Sequence, residues 1–196
     1  MKPTLKPKLR AVLFGTAAAA MAVAVIFLHG IYVRGWDGGA VLSVARIFAL
    51  PAAAVNGRVI PLADYRRNVS VFYSASRTDS GISLITPGVP REAIEDNVLE
   101  RMIRSEILRQ VARNSGIVLS DADLDAEMMR IRKNPADAAT IARILPALGW
   151  SRRQLEENIL RPYLLDLRLG EVLGRPEAGQ RLDQAYKAAV IWRFVR

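Results

Sequence analysis

Three acidic residues at alternate positions are the first candidates for chemistry in this sequence. Asp121, Asp123 and Asp125 have the spacing that begins an EF-hand calcium loop. Such a loop needs Gly at its sixth position and Glu at its twelfth, where this chain has Ala126 and Arg132. The pattern therefore predicts the first turn of a helix, whose dipole the carboxylates stabilise, and no metal site.

The sequence offers no arrangement of residues for other catalytic chemistry. The chain has no Cys and a single His, His29, which lies inside an apolar run, so thiol catalysis and cysteine zinc sites are excluded. The adjacent pairs Glu95-Asp96 and Glu156-Glu157 would point apart on a helix and form no acid–base pair. Because the sequence also has no Gly-rich phosphate loop and no G-x-S-x-G motif, we predict that the protein is not an enzyme and has no catalytic residue and no cofactor.

The charge distribution argues against a nucleic-acid partner. The 196 residues include 28 Lys and Arg against 19 Asp and Glu, a formal net charge of +9. Six of the basic residues and one acidic residue lie in 1–50, so the rest of the chain is nearly balanced. In 51–196 the two signs alternate along predicted helix faces, which is typical of a solvated surface and not of a nucleic-acid-binding patch.

Residues 11–33 form a run of 23 residues without a formal charge. As a helix with about 1.5 Å of rise per residue, the run is roughly 34 Å long, enough to cross a bilayer. Four basic residues precede it, and Tyr32 and Trp36 lie where interfacial aromatic residues are common. The positive-inside rule then predicts a cytoplasmic tail at 1–10, a transmembrane signal anchor, and a domain on the periplasmic or extracellular face of the cytoplasmic membrane.

A cleaved signal peptide is the alternative for this run, because small-residue patterns occur at 17–20 and 52–54. The run is longer than a usual signal-peptide core and lacks a polar end before a cleavage site, which favours an uncleaved anchor. We assign 34–53 as a juxtamembrane connector, since its apolar part, 40–53, is too short to span a bilayer. The connector either lies on the outer membrane surface or packs on the domain.

Residues 54–196 predict a mostly helical domain. The Asn56-Gly57 pair between apolar residues is typical of a β-hairpin turn, and Pro61 ends the strand that follows it. Helical apolar spacing comes next, up to a loop at Arg77–Val89 that is rich in turn-forming residues.

Caps and apolar spacing predict the helices after that loop. A long helix begins near Pro90 and ends before Gly116. Ser120 and Ser151 begin two more helices, each with a capping-box partner three residues later. The apolar face of the long helix and of the helix after it consists of Ile94, Val98, Leu99, Met102, Ile103, Ile107, Val111, Leu124, Met128 and Ile131.

Two predictions concern the C-terminal part of the chain. The helix after Ser151 should direct four side chains inward: Leu155, Ile159, Tyr163 and Leu167. Pro162 should kink that helix, because proline removes a backbone donor. A last amphipathic helix should run from about Glu177 and include Trp192 and Phe194.

The order of these features resembles one family. VNGRVIPLADY is followed by a helix, a loop, VLERMIRSEILRQVARNSGIVLSDADLDAEMMRI and LPALGWSRRQLEENILRPYLLDLRL. Over residues 54–173 this order is similar to the N-terminal domain of the SurA family of extracytoplasmic chaperones, which includes the PpiD and PrsA types. The shared signature is an Asn-Gly turn, a long helix ending in a Gly-Ile-x-x-Ser-Asp join, and a Leu-x-x-x-Gly-x-Ser cap.

The resemblance implies an all-α domain of the SurA N-terminal or trigger factor peptide-binding type. In this chain the domain would follow the one transmembrane helix predicted from the uncharged run. It also implies that the domain binds unfolded or extended polypeptides outside the membrane. Many members carry a parvulin isomerase domain, but only 23 residues follow Leu173, so we expect no isomerase domain here. The family supplies no catalytic residue in this region.

Two other interpretations stay open at this point. The helical domain could be an adaptor for one dedicated envelope or secretion partner, or it could be the remnant of a parvulin-type peptidyl-prolyl isomerase. A chaperone would suppress the aggregation of several unrelated unfolded proteins, whereas an adaptor would not. The sequence leaves the client and the oligomeric state open.

Aromatic side chains are the candidates for client binding, because they offer apolar area with few polar demands. Phe72 and Tyr73 precede the loop, Trp150 lies at a helix junction, and Trp192 and Phe194 end the chain's last helix. We expect that helix to pack back on the domain, so that its edge borders a client groove together with Phe72 and Tyr73. Core packing of each residue is the alternative.

The predicted topology can be tested with one introduced cysteine, since the chain has none of its own. A single Cys in the Arg77–Val89 loop should react with a membrane-impermeant thiol reagent in intact spheroplasts, because the domain would lie outside. Labelling that occurs only after lysis would contradict the topology.

Overall fold

The chain folds mainly into helices, over the residues 7–36, 38–77 and 88–195 that the computed structural model describes. In chain order the helices are α1 (Pro7–Tyr32), α2 (Gly39–Ile47), α3 (Leu62–Arg77), α4 (Arg91–Asn114), α5 (Asp121–Lys133), α6 (Pro135–Leu148), α7 (Arg152–Leu155), α8 (Arg161–Leu173) and α9 (Arg175–Ala188). The strands are β1 (Pro51–Val55), β2 (Arg58–Pro61) and β3 (Ile191–Arg193), and a π-helical segment, Glu156–Leu160, joins α7 to α8. The helical content agrees with the predicted class, to which the structure adds a small sheet. Most of the predicted loop at Arg77–Val89 lies outside the described residues.

The sheet is built on the hairpin that the Asn-Gly pair predicts. Asn56 and Gly57 have φ values of 50° and 79°, as a two-residue turn of type I′ requires. β1 pairs antiparallel with β2, with Val55 opposite Arg58, and β3 pairs antiparallel with the other side of β1. Asn56 also holds β3, because its N–H donates to the Val190 carbonyl and its Oδ1 accepts from the Val190 N–H, both at 2.9 Å.

The last helix ends earlier than the spacing predicts. α9 ends at Ala188, Trp192 lies in β3 and Phe194 follows that strand, so the prediction that both aromatic residues lie on a terminal helix is wrong. Residues 190–195 read VIWRFV, and such β-branched and aromatic residues favour a strand. β1 supplies backbone partners for this strand; the Ala52 carbonyl, for example, accepts from the Phe194 N–H at 2.9 Å.

Helix α4 lies at the centre of the main hydrophobic core. It contacts α3, α8, α9 and β1. The face predicted from its spacing is confirmed, because the helix buries Ile94, Val98, Leu99, Ile103, Ile107 and Val111 and leaves Met102 partly buried. Gly116, predicted to follow the helix end, has φ 74°, a left-handed value that a residue with a side chain rarely adopts.

The main core reaches back beyond residue 54, where the sequence predicts the helical domain to begin. Ile31 near the end of α1 and Ala45 in α2 are fully buried members of this core. The Tyr32 hydroxyl donates to the Pro51 carbonyl at 2.9 Å. The end of α1 and the connector therefore pack on the domain, one of the two placements that the sequence leaves open.

The transmembrane anchor predicted at 11–33 is not confirmed by the structure. Helix α1 covers most of this run. Among the described residues, however, no helix combines the length and the apolar character that crossing a membrane requires. The anchor stays a prediction from the sequence.

The three carboxylates at 121–125 begin a helix, as their pattern predicts. Ser120 Oγ accepts from the Asp123 N–H at 3.2 Å, and the Asp123 carboxylate accepts from the Ser120 N–H at 2.8 Å. Ser120 Oγ also donates to the Asp123 carboxylate at 2.6 Å. This hydrogen bond, together with the one from the Ser120 N–H, lowers the pKa of Asp123. Ser151 and Gln154 form the second predicted capping box.

The π-helical segment changes which side chains of the C-terminal helix face inward. Between Ser151 and Gly174 the buried residues are Leu155, Leu160, Leu164, Leu165 and Leu169. Tyr163, predicted to point inward, is 50% exposed. Ile159 and Leu167, also predicted to point inward, are partly buried and pack against the cluster that contains Leu160 and Leu164. A π-helical turn holds one residue more than an α-helical turn, so the fully buried positions become 160 and 164 and Tyr163 faces outward. The segment ends just before Pro162, whose missing N–H interrupts the regular helical hydrogen bonds at the place where the sequence predicts a kink.

This shift of the inward face predicts opposite sensitivities at two neighbouring positions. Leu164→Ala should lower the free energy of unfolding by about 2–4 kcal/mol, because it leaves a cavity in the cluster that α8 forms with α5. Tyr163→Ala, the matched control, should cost less than about 1 kcal/mol. Chemical denaturation of both variants measures the difference. If Tyr163→Ala lowers the free energy of unfolding more than Leu164→Ala does, Tyr163 faces inward, as regular α-helical spacing predicts.

Candidate functional site

A groove with a volume of about 870 Å³ lies between β2, α3, α4 and the segment that begins at Trp150. Strand β2 lines it with Val59, Ile60 and Pro61. The other lining residues come from the three helical segments: Asp64, Arg67, Asn68 and Phe72 from α3; Val98, Arg101, Met102, Ser105, Glu106 and Arg109 from α4; and Trp150, Ser151, Arg153, Gln154, Glu157 and Asn158 from the last segment.

Helical periodicity explains which residues reach this groove. On α3, Asp64, Asn68 and Phe72 follow one another at intervals of four and share one flank of the helix. On α4, Met102 and Glu106 have the same spacing. On both helices, the residues that line the groove therefore lie next to the face that is buried in the core.

One end of the groove is aromatic. The rings of Phe72 and Trp150 meet edge to face, with centroids 6.0 Å apart and planes at 89°. The Arg101 guanidinium lies over the Phe72 ring, 5.7 Å from its centroid, in a cation–π contact. Burial lowers the pKa of Arg101, but an arginine stays charged at any physiological pH.

Trp150 carries a buried donor that the protein does not satisfy. Its side chain packs with Ala75 and Leu148 and only 6% of the residue is exposed. Its indole N–H is buried and has no hydrogen-bond partner among the described residues. Such a group costs free energy in the folded state, so a small movement that brings an acceptor within reach is favoured.

Asn68 is a buried polar residue in the groove and links two of its walls. Its Nδ2 donates to Asn158 Oδ1 at 3.5 Å and lies 3.8 Å from the Met102 sulfur. Asn158 in turn donates to the Gln154 carbonyl at 2.9 Å. These bonds hold the π-helical segment against α3.

The charged residues along the groove are mostly paired with one another. Asp64 lies 3.7 Å from Arg67, and Glu106 lies 3.4 Å from Arg109. Arg153 is exposed and makes no ion pair within the described part of the chain. The arrangement offers an apolar end at the two aromatic rings and cationic donors beside it.

The structure brings together two of the five predicted site residues. Phe72 and Trp150 line the groove. Tyr73 lies between the guanidinium groups of Arg77 and Arg91 and lines a different pocket. Trp192, which is 64% exposed, and Phe194 lie by the sheet, and neither they nor α9 line this groove.

Sequence reasoning missed Asn68 and Arg101. Asn68 stands in the apolar stripe of α3, three residues after Tyr65 and four before Phe72, and a polar residue in that position is a usable signal of a buried polar group. Arg101 gives no such signal. Its contact with Phe72 joins residues of two helices.

Comparison with known proteins relates the chain to a protein family and to a curated relative. The family model described as a SurA-like N-terminal domain matches residues 5–166. A curated relative, the Chaperone SurA of Chromobacterium violaceum, is 33% identical over 103 residues, which cover 51% of this chain and 24% of that protein. The match thus spans about a quarter of the relative's length. No solved structure matches the chain.

The two tryptophans among the predicted site residues should differ sharply in their effect on stability. Trp150→Ser should lower the free energy of unfolding by about 3–5 kcal/mol, because the side chain is buried. Trp192→Ser should cost less than about 1 kcal/mol, because most of that side chain is in solvent. Denaturant titration of the full chain provides both values. Equal losses would contradict the described placement of Trp192.

Proposed function

Because the chain belongs to the SurA-like N-terminal domain family, we propose that it is a chaperone-like protein that binds unfolded or extended polypeptides in the groove between β2, α3 and α4. The observation that carries this proposal is a groove with one wall formed by the edge strand β2, whose outer edge has no strand partner among the described residues. The family membership and the Chaperone SurA relative support the chaperone-like role.

The backbone of β2 offers hydrogen bonds toward the groove. In a two-residue hairpin the residues that flank the turn, here Val55 and Arg58, bond to each other, as do Ala53 and Ile60 two positions further along. The backbone groups of Val59 therefore point away from β1. Since β2 is an edge strand and Val59 lines the groove, its N–H and carbonyl are available to an extended segment.

The side chains of the groove suit many different segments. Phe72 and Met102 offer apolar contact that adapts to different shapes. Arg101 and Arg153 provide donors for backbone carbonyls or acidic side chains. Pairing with a strand edge uses backbone groups, which every polypeptide has, so the groove would accept unrelated clients. This binding requires no reaction, and we propose none.

For the location, we propose a single-pass protein of the cytoplasmic membrane with the domain on the periplasmic or extracellular side. The uncharged run at 11–33 and the basic residues before it support an anchor with its N-terminus inside. This part of the proposal depends on the sequence.

A proline at the strand edge tests the binding mode. Val59→Pro removes the one N–H of β2 that is directed away from β1, and proline is tolerated in edge strands. The full chain should suppress aggregation of at least two unrelated proteins diluted from denaturant, followed by light scattering. Val59→Pro should bind a fluorescent unfolded polypeptide about fivefold more weakly, the value of one hydrogen bond of about 1 kcal/mol. Val59→Thr, which keeps the N–H, should bind as the parent chain does.

Three outcomes would count against the proposal. If no unrelated protein is protected, the domain is an adaptor or has another role. Equal affinities of Val59→Pro and the parent chain would exclude pairing at this edge. A drop in the free energy of unfolding of Val59→Pro by more than about 1 kcal/mol would show that the Val59 N–H is bonded within the fold.

A further inference from the structure

A second pocket, of about 240 Å³, lies between α2, α3 and the start of α4. Four of its lining side chains are arginines, namely Arg46, Arg66, Arg67 and Arg91, and none of the described residues that line it carries a carboxylate. Ser70 adds a hydroxyl group, and Leu42 contributes apolar surface. Arg67 is the one residue that this arginine pocket shares with the groove.

Three of these guanidinium groups lie near a carboxylate. Arg67 Nη1 lies 3.7 Å from Asp64 Oδ1. Glu95 lies 3.6 Å from Arg66 and 3.0 Å from Arg91, and the Ile31 carbonyl accepts from Arg66 Nη2 at 3.5 Å. The Arg66 side chain is only 9% exposed, and its buried Nε has no hydrogen-bond partner among the described residues. A buried donor without a partner is costly, and an anionic oxygen within reach of Nε would provide the missing acceptor.

Arg46 contributes a cation from the opposite wall. It is exposed on α2 and forms no ion pair with any described residue. The residues after it, Ile47 and Phe48, are large, apolar and exposed, at 76% and 71%. A cluster of cations beside exposed apolar side chains matches the boundary of an anionic membrane, where phosphate groups lie next to hydrocarbon.

We propose that the arginine pocket binds the phosphate of an anionic phospholipid, while Ile47 and Phe48 enter the interfacial layer. Arginine guanidinium groups bind phosphate oxygens through paired hydrogen bonds, which suits the four side chains of the pocket. The position supports a lipid as the source of the phosphate, because α2 follows the uncharged run at 11–33 along the chain. This site goes beyond the proposed polypeptide binding.

A titration with short-chain lipids tests the site on the full chain in micelles of an uncharged detergent at constant ionic strength. Dihexanoyl-phosphatidylglycerol should raise the thermal unfolding midpoint in a saturable manner, because a ligand that binds the folded state stabilises it. Dihexanoyl-phosphatidylcholine should not. Arg46→Glu should raise the apparent Kd for phosphatidylglycerol at least fivefold, and Arg46→Gln should raise it less. Arg132→Glu is the matched control, since Arg132 is exposed on α5 and lines neither the groove nor the arginine pocket.

The same titration can overturn the proposal. Equal shifts with the two lipids, or equal Kd values for Arg46→Glu and Arg132→Glu, would exclude the pocket as an anionic lipid site. Inorganic phosphate is the remaining probe. If it saturates the pocket as tightly as phosphatidylglycerol and competes with it, the ligand is a soluble phosphate and the lipid assignment is wrong. Because aggregation suppression is measured separately, this failure would leave the polypeptide groove unaffected.

Discussion

The burial of one face of α4 is the constraint on which the rest of the structure depends. Seven residues of this helix are buried, and the helix packs against elements that precede it and elements that follow it in the chain. Each fully buried Val, Leu or Ile side chain contributes about 1.5–3 kcal/mol, so this face outweighs any cap or surface ion pair in the molecule. The groove is a consequence of the same packing. When one face of a helix is buried in the core, the side chains next to that face can line a neighbouring groove. On α4 these side chains include Arg101 and Met102.

A polar cluster on another side of α4 keeps the sheet in place. Glu100 accepts from the Tyr186 hydroxyl at 2.7 Å, from Arg104 at 3.0 Å and from Arg193 at 2.9 Å, which ties α9 and β3 to α4. Burial raises the pKa of Glu100, but these hydrogen bonds and the charge of Arg193 outweigh it and the pKa is lowered. Because β3 pairs with one side of β1, β2 pairs with the other side. The outer edge of β2 then lies along the groove.

The parts of this fold that follow from local rules were predictable. Helix caps such as Ser120, the turn at Asn56 and the apolar face of α4 depend on neighbours within a few residues, so the sequence predicts them correctly. The strand at Trp192 and the shift at Tyr163 were missed for the opposite reason. The first requires the free side of β1, far away in sequence. The outward position of Tyr163 depends on the extra residue of a π-helical turn, which a prediction based on regular α-helical spacing does not include. The groove joins four separate segments, so the sequence could name Phe72 and Trp150 but not their contact.

Helix α3 separates the two surfaces that we assign to ligands. Its buried ridge, which includes Tyr65 and Val69, faces the core, with Asn68 and Phe72 on the groove and Arg66 and Ser70 on the arginine pocket. A helix with its side chains is about 10–12 Å across. If the pocket holds a lipid phosphate, a polypeptide in the groove therefore lies within about one helix diameter of the membrane surface. The spacing of polar residues on one short helix would then set where a client is held relative to the bilayer, without any additional domain.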